Sequence, residues 1–215
     1  MTDTVFLFDV DNTLLDNDAV IDDLRRHLVS TIGPDCGRRY WEIFEQLRTQ
    51  LGYADYLGAL QQYRIENPRE TSVLQLSLFL LHYPFANRLY PRALDAVRAL
   101  RGRGPTAILS DGDVVFQPRK IERSGLWEAV EGEVLIYIHK EQMLDDVERR
   151  YPARRYVMVD DKLRILSAMK TSWGRRLTTV FVRQGHYAAD PAQVDPYPAA
   201  DVTIEHIGDL LHQAF

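Results

Sequence analysis

The chain has 215 residues, 46% of them hydrophobic and 27% charged, with a formal net charge of -5. That composition suits a globular protein with a sizeable core and excludes a largely disordered one. The acidic balance, the absence of a face-long basic run and the lack of any stretch of roughly 18 apolar residues argue against nucleic acid or a membrane as the main partner.

Val5-Phe6-Leu7-Phe8 is a short apolar run that ends on acidic and turn residues, and it reads as a buried strand. Thr2 and Asp3 lead into it in place of a basic segment and a long apolar stretch, so no secretory leader is expected. A long helical stretch follows, with apolar spacing that predicts helices over 18–32, 38–51, 53–64 and 72–83. The single cysteine, Cys36, lies in Gly33-Pro34-Asp35-Cys36-Gly37, which reads as turn-like; one cysteine permits no intramolecular disulfide and fits a reducing, cytoplasmic setting.

From residue 90 onward strands and helices alternate. Strands are expected at 106–109, 134–138, 156–159, 179–182 and, more weakly, 202–204. Helices are expected at 92–103, 141–150, 163–173 and 207–215. Alternation of this kind implies parallel strands joined by helical crossovers. The expected fold is therefore α/β: a Rossmann-like parallel sheet flanked by helices, formed by residues 1–15 and 89–215, with an all-helical cap at 16–88. The stretch 191–198 reads as an ordered surface loop, and 183–187 as scaffold at the rim.

In open parallel sheets the site lies beyond the carboxyl ends of the strands. Asp9-Val10-Asp11-Asn12-Thr13 follows the first strand, Ser110-Asp111-Gly112-Asp113 the second, His139-Lys140 the third and Asp160-Asp161 the fourth. This set suits phosphoryl transfer, which needs a nucleophile, charge neutralisation and positioning. Asp9 can attack phosphorus. Asp11 can protonate the leaving oxygen and later deprotonate water. Asp9 with Asp160 or Asp161 makes a hard oxygen set suited to Mg²⁺. Ser110 can hydrogen-bond a phosphate oxygen, and Lys140 supplies a fixed positive charge. Lys120 competes with Lys140 for that role; Lys140 is preferred because it follows a strand.

These residues resemble the four motifs of the haloacid dehalogenase superfamily. Asp9-x-Asp11-x-Thr13 is similar to the first, Ser110 to the second, Lys140 to the third and Asp160-Asp161 to the acidic fourth. The helical stretch lies where that superfamily places its first type of cap. The resemblance implies that Asp9 is nucleophile and metal ligand. It implies that Asp11 is general acid/base, with its backbone carbonyl on the metal, and that Thr13 fixes the loop. Asp161 would be the more direct metal ligand, with Asp160 supporting it. Residues 163–166 lack the further carboxylate often found there. The implied activity is a Mg²⁺-dependent phosphomonoesterase acting on a small phosphorylated metabolite. A phosphomutase, a 2-haloacid dehalogenase and a catalytically silent binding protein are the alternatives; Asp11 argues against the dehalogenase. His139 and the aromatic stripe Tyr40, Trp41 and Phe44 are expected to be structural.

Overall fold

A computed structural model describes residues 2–215. Six parallel strands form one sheet: β1 (Thr2–Phe8), β2 (Thr106–Asp111), β3 (Val134–Tyr137), β4 (Ala153–Asp160), β5 (Leu177–Val182) and β6 (Val202–Ile204). Their spatial order is β3-β2-β1-β4-β5-β6. The two central strands β1 and β4 are covered on both faces, which is why they read as unbroken apolar runs. Side chains alternate across them: Phe6, Phe8, Val157 and Val159 enter one core cluster, and Val5, Leu7, Tyr156 and Met158 the other. The edge strands β3 and β6 are the shortest and least buried.

Four helices separate β1 from β2: α1 (Asn17–Ile32), α2 (Pro34–Leu51), α3 (Tyr56–Glu66) and α4 (Val73–His82). Asp16 caps α1 by accepting from Ala19 N at 2.9 Å, and Asp55 caps α3 by accepting from Gly58 N at 2.7 Å. Their apolar faces meet in one interior that continues into the sheet's first core cluster through Leu24, Tyr40, Phe44, Tyr56 and Leu76. Tyr56 packs on Phe116 with ring centroids 5.2 Å apart, which joins the helical insertion to the sheet's flanking layer.

The segments leading into and out of the insertion pair with each other. Asp16 N donates to Arg88 O at 2.7 Å, Tyr90 N donates to Leu14 O at 3.0 Å, and Leu15 and Leu89 form an antiparallel bridge. The chain thus leaves and rejoins the core at one place.

The remaining helices are α5 (Ala93–Arg101), α6 (Phe116–Ser124), α7 (Leu126–Ala129), α8 (Leu144–Arg150), α9 (Leu163–Trp173), α10 (Gly185–Ala189) and α11 (Pro191–Val194). Several differ from expectation. Gly33 and Pro34 mark a helix boundary and not a loop: Gly33 has φ 86°, Pro34 opens α2, and Cys36 lies inside that helix. The expected helix 141–150 is divided into a 3-10 turn at Lys140–Gln142 and α8, and the last helix is a 3-10 segment, Ile207–His212. The stretch 191–198 contains α11, and 183–187 contains the start of α10. Among the described residues, no helix is long and apolar enough to cross a membrane.

Candidate active site

The sheet order changes direction at β1: the chain passes from β1 to β2 on one side and later to β4 on the other. Crevices at such switch points collect ligands. Asp9 leaves β1 there, and Asp160 ends β4 beside it, with Asp9 N donating to Val159 O at 3.0 Å.

The loop after Asp9 is a tight knot. The amides of Thr13, Leu14 and Leu15 all donate to Val10 O at 3.3, 2.9 and 3.0 Å. Asn12 takes φ 60°, a left-handed conformation that asparagine tolerates better than most residues. Its Oδ1 accepts from Asn17 N and Asp18 N at 3.0 and 3.2 Å, so the loop also caps the start of α1. Thr13 Oγ1 donates to Asp9 Oδ2 at 3.2 Å and accepts from Asp161 N at 3.1 Å. It therefore ties the loop after β1 to the loop after β4.

Carboxylate oxygens of Asp9, Asp160 and Asp161 lie within 4.8 Å of one another, and all three residues are buried. Lys140 Nζ partly neutralises them, at 2.5 Å from Asp9 Oδ1 and 2.7 Å from Asp160 Oδ2. Asp160 Oδ1 accepts from Lys162 N at 2.9 Å. Both oxygens of Asp161 are buried without a hydrogen-bond partner. Two unpartnered oxygens in an all-oxygen, electron-rich cluster fit a hard divalent cation such as Mg²⁺.

Burial pushes the carboxyl of Asp160 up to about 6, against the opposing charge of Lys140. Burial likewise raises Asp161 well above the usual carboxylate range. For Lys140 burial pulls the other way, but the charges of Asp160, Asp9 and Asp111 override it and hold the ammonium well above its ordinary value. Lys162 behaves alike: burial lowers it, and Asp161, Asp9 and Asp160 raise it further.

The two lysines that compete on sequence grounds serve different aspartates. Lys120 Nζ donates to Asp11 Oδ1 at 2.6 Å and to Asn17 Oδ1 at 2.9 Å. Gln117 Nε2 donates to Ser110 Oγ at 2.9 Å and approaches Asp11 Oδ2 at 3.5 Å. Asp11 is absent from the acidic trio as a side chain and faces a cavity of about 300 Å³. Asp111 and Asp113 point at backbone amides: Asp111 accepts from Lys140 N at 2.7 Å, and Asp113 accepts from Val115 N and Phe116 N at the start of α6. Neither Asp160 nor Asp161 caps α9, whose N-cap is Lys162.

Three sequence expectations change at the cavity wall. His139, expected to be structural, lines the cavity, and a Cβ on Gly52 would meet its ring at 2.6 Å. His186 and Tyr187, expected to be scaffold, line an adjoining cavity of about 400 Å³. Gly185 makes this possible: its φ is +71°, and a Cβ there would lie 2.4 Å from Asn12 Cβ. Of the aromatic stripe, Tyr40 and Phe44 are core as expected, whereas the half-buried Trp41 lies on the second cavity's wall, which the edge of Phe44 also reaches. Lys162 and Arg48 line both cavities. The signals in sequence are slight: Lys162 follows the acidic pair directly, and a glycine follows β5.

A buried aspartate at the switch point of a parallel sheet, beside a second acidic strand end, is the site of a Rossmann-like α/β protein. The family model for haloacid dehalogenase-like hydrolases matches residues 4–172, and the chain belongs to that family. A haloacid dehalogenase-like hydrolase from Burkholderia xenovorans LB400 is 67% identical over all of both chains, with a TM-score of 0.96. Two more distant structures share the fold. The magnesium-bound HAD-hydrolase YfnB from Bacillus subtilis is 17% identical, with 99% of this chain and 98% of that chain covered and a TM-score of 0.65. The L-2-haloacid dehalogenase from Xanthobacter autotrophicus with covalently bound chloropropionic acid is 18% identical, with the same coverage and a TM-score of 0.64. No curated protein matches the chain in sequence.

Proposed function

We infer that this hydrolase is a Mg²⁺-dependent phosphomonoesterase acting on a small phosphorylated metabolite. The observation that carries this is the acidic trio with both Asp161 oxygens buried and unpartnered beside the Asp9 carboxylate. Bound there by Asp9, Asp160, Asp161 and the Asp11 carbonyl, Mg²⁺ would neutralise the repulsion between carboxylate and phosphate.

Asp9 forms the new P–O bond while the bond to the leaving oxygen breaks, giving an aspartyl-phosphate. Thr13 holds Asp9 in place through its hydroxyl. Asp11 gives a proton to the leaving oxygen, then takes one from the water that attacks phosphorus and frees Asp9. Lys140 and Ser110 hold the charge of the transferring group. Lys120 keeps the Asp11 carboxylate at the cavity through Oδ1, and Oδ2, which only Gln117 approaches, at 3.5 Å, is the oxygen that carries the proton.

A dehalogenase needs no protonation of a halide, so Asp11 has no task in that reaction. The test runs both reactions side by side: release of p-nitrophenol from p-nitrophenyl phosphate and release of chloride from 2-chloropropionate, each with Mg²⁺ and with EDTA. Phosphate ester cleavage that EDTA abolishes is expected. Chloride release without phosphatase activity would replace this assignment with the dehalogenase.

A further inference from the structure

The two cavities adjoin between the sheet's carboxyl edge and the helical insertion. Asp11, Arg48, Ala54, Tyr56, Lys162 and Tyr187 line both. A substrate whose phosphate reaches Asp9 must place its leaving group here, because Asp11 serves the leaving oxygen.

Most charged groups lining this space already have partners. Asp11 is held by Lys120, Asp111 by the Lys140 amide, Arg164 by Glu141 at 2.8 Å, Asp18 by His186 at 2.6 Å, and Asp22 by Arg25 at 3.0 Å. Lys162 differs. Its ammonium makes no hydrogen bond and has no carboxylate within 4.0 Å among the described residues; it rests on the Tyr187 ring, 4.7 Å from the centroid. Arg48, from α2, donates to the Tyr187 hydroxyl and, among the described residues, its side chain otherwise meets only Glu45, at 3.4 Å and exposed. An exposed pair of that length contributes little. One phenol therefore holds two cations, one from the core and one from the insertion, on the wall of the leaving-group space. Lys162 is balanced only at a distance, by the acidic cluster, and Arg48 only by an exposed pair, so both keep hydrogen-bonding capacity for an anion brought by the ligand.

Building on the phosphomonoesterase assignment, we propose that Lys162 and Arg48, joined by Tyr187, form a specificity subsite for a second anionic group. The substrate is then a small phosphomonoester whose leaving group carries a carboxylate or a second phosphate.

Three probes of similar length test this: propyl phosphate, 2-phosphoglycolate and propane-1,3-diol bisphosphate. Wild-type protein is expected to favour one or both doubly anionic probes over propyl phosphate by at least tenfold in kcat/KM. The preferred probe tells carboxylate from phosphate. In Lys162→Met and Arg48→Gln that preference is expected to fall at least tenfold, mostly through KM, and Lys162→Arg is expected to restore part of it. Two independent variants guard against one that folds poorly. Equal use of all three probes by the wild type would overturn the subsite. So would equal losses on all three in Lys162→Met, which would put Lys162 on the reacting phosphate. Should the wild type hydrolyse none of them, cleavage of p-nitrophenyl phosphate decides the phosphatase assignment, and calorimetric titration with the same probes decides the subsite alone. Tighter binding of a doubly anionic probe that Lys162→Met removes would support it; equal binding would refute it.

Discussion

Replacing Asp161 by asparagine is expected to stabilise the metal-free protein and to abolish its response to Mg²⁺. Asp161 is buried, its two oxygens have no hydrogen-bond partner, and it lies within 4.8 Å of the Asp9 and Asp160 carboxylates. At that separation and an effective dielectric of about 20, each like-charged neighbour costs about 3 kcal/mol. Lys140 offsets Asp9 and Asp160 by direct contact but makes none with Asp161. Protonation relieves part of the cost, since burial holds the Asp161 carboxyl well above its usual range. A net gain of about 2 kcal/mol remains, roughly 4–8 °C in melting temperature for a chain of this size. The sign with pH follows. A carboxyl raised in the folded state binds more protons folded than unfolded, so wild-type stability is lost as pH rises through its folded value. The advantage of Asp161→Asn in EDTA should therefore widen as pH rises above the ordinary carboxylate range. Mg²⁺ at about 100 times its dissociation constant should add about 2.7 kcal/mol to the wild type and nothing to the variant. Thermal melts of both proteins, with EDTA and with Mg²⁺, measure all of this. A variant that melts below the wild type in EDTA, or a wild type indifferent to Mg²⁺, would refute the reasoning.

Three further outcomes are expected. Lys140→Met should cost about 3–5 kcal/mol, because it leaves the Asp9 and Asp160 charges buried without a counter-ion; chemical denaturation at neutral pH measures it, and a loss under about 1 kcal/mol would show that the cluster is not charged in the folded protein. Lys120→Gln should lower kcat about tenfold or more with a smaller change in KM, since it frees the Asp11 carboxylate without altering the phosphate site; a pure KM effect would move Lys120 into substrate binding. Gly185→Ala should destabilise by more than about 1 kcal/mol, as it combines a left-handed backbone with a clash against Asn12, and an unchanged melting temperature would show that α10 shifts freely.

The apolar runs were readable because the central strands are covered on both faces, so charge appears only where each strand leaves the sheet. Asp9, Ser110, Lys140 and Asp160 stand out for that reason. The helical stretch was equally plain from its spacing, though its turn signals misled: Gly33-Pro34 opens a helix. Helix α6 was not expected at all; its Pro118 occupies the first turn, where proline is tolerated. Lys120 and Lys140 looked like rivals because nothing in a sequence tells that α6 carries Lys120 to Asp11 while the turn after β3 carries Lys140 to Asp9. Lys162, Arg48 and Tyr187 were illegible as a group. Their meeting depends on β4 and β5 lying side by side and on α2 reaching over α10, contacts between segments far apart in the chain.

The paired segments at 14–16 and 88–90 bear on how such a protein can change over time. To the core, residues 17–87 amount to a hairpin tip, since the two ends already touch. The entropy of closing a loop grows only slowly with its length. Helices could be lengthened, shortened or exchanged beyond the bridge while the strand ends that hold Asp9 and Asp160 keep their register. The chemistry and the choice of substrate can thus evolve at different rates in one chain: the insertion is a replaceable head on a fixed handle, and Arg48 belongs to the head while Lys162 belongs to the handle.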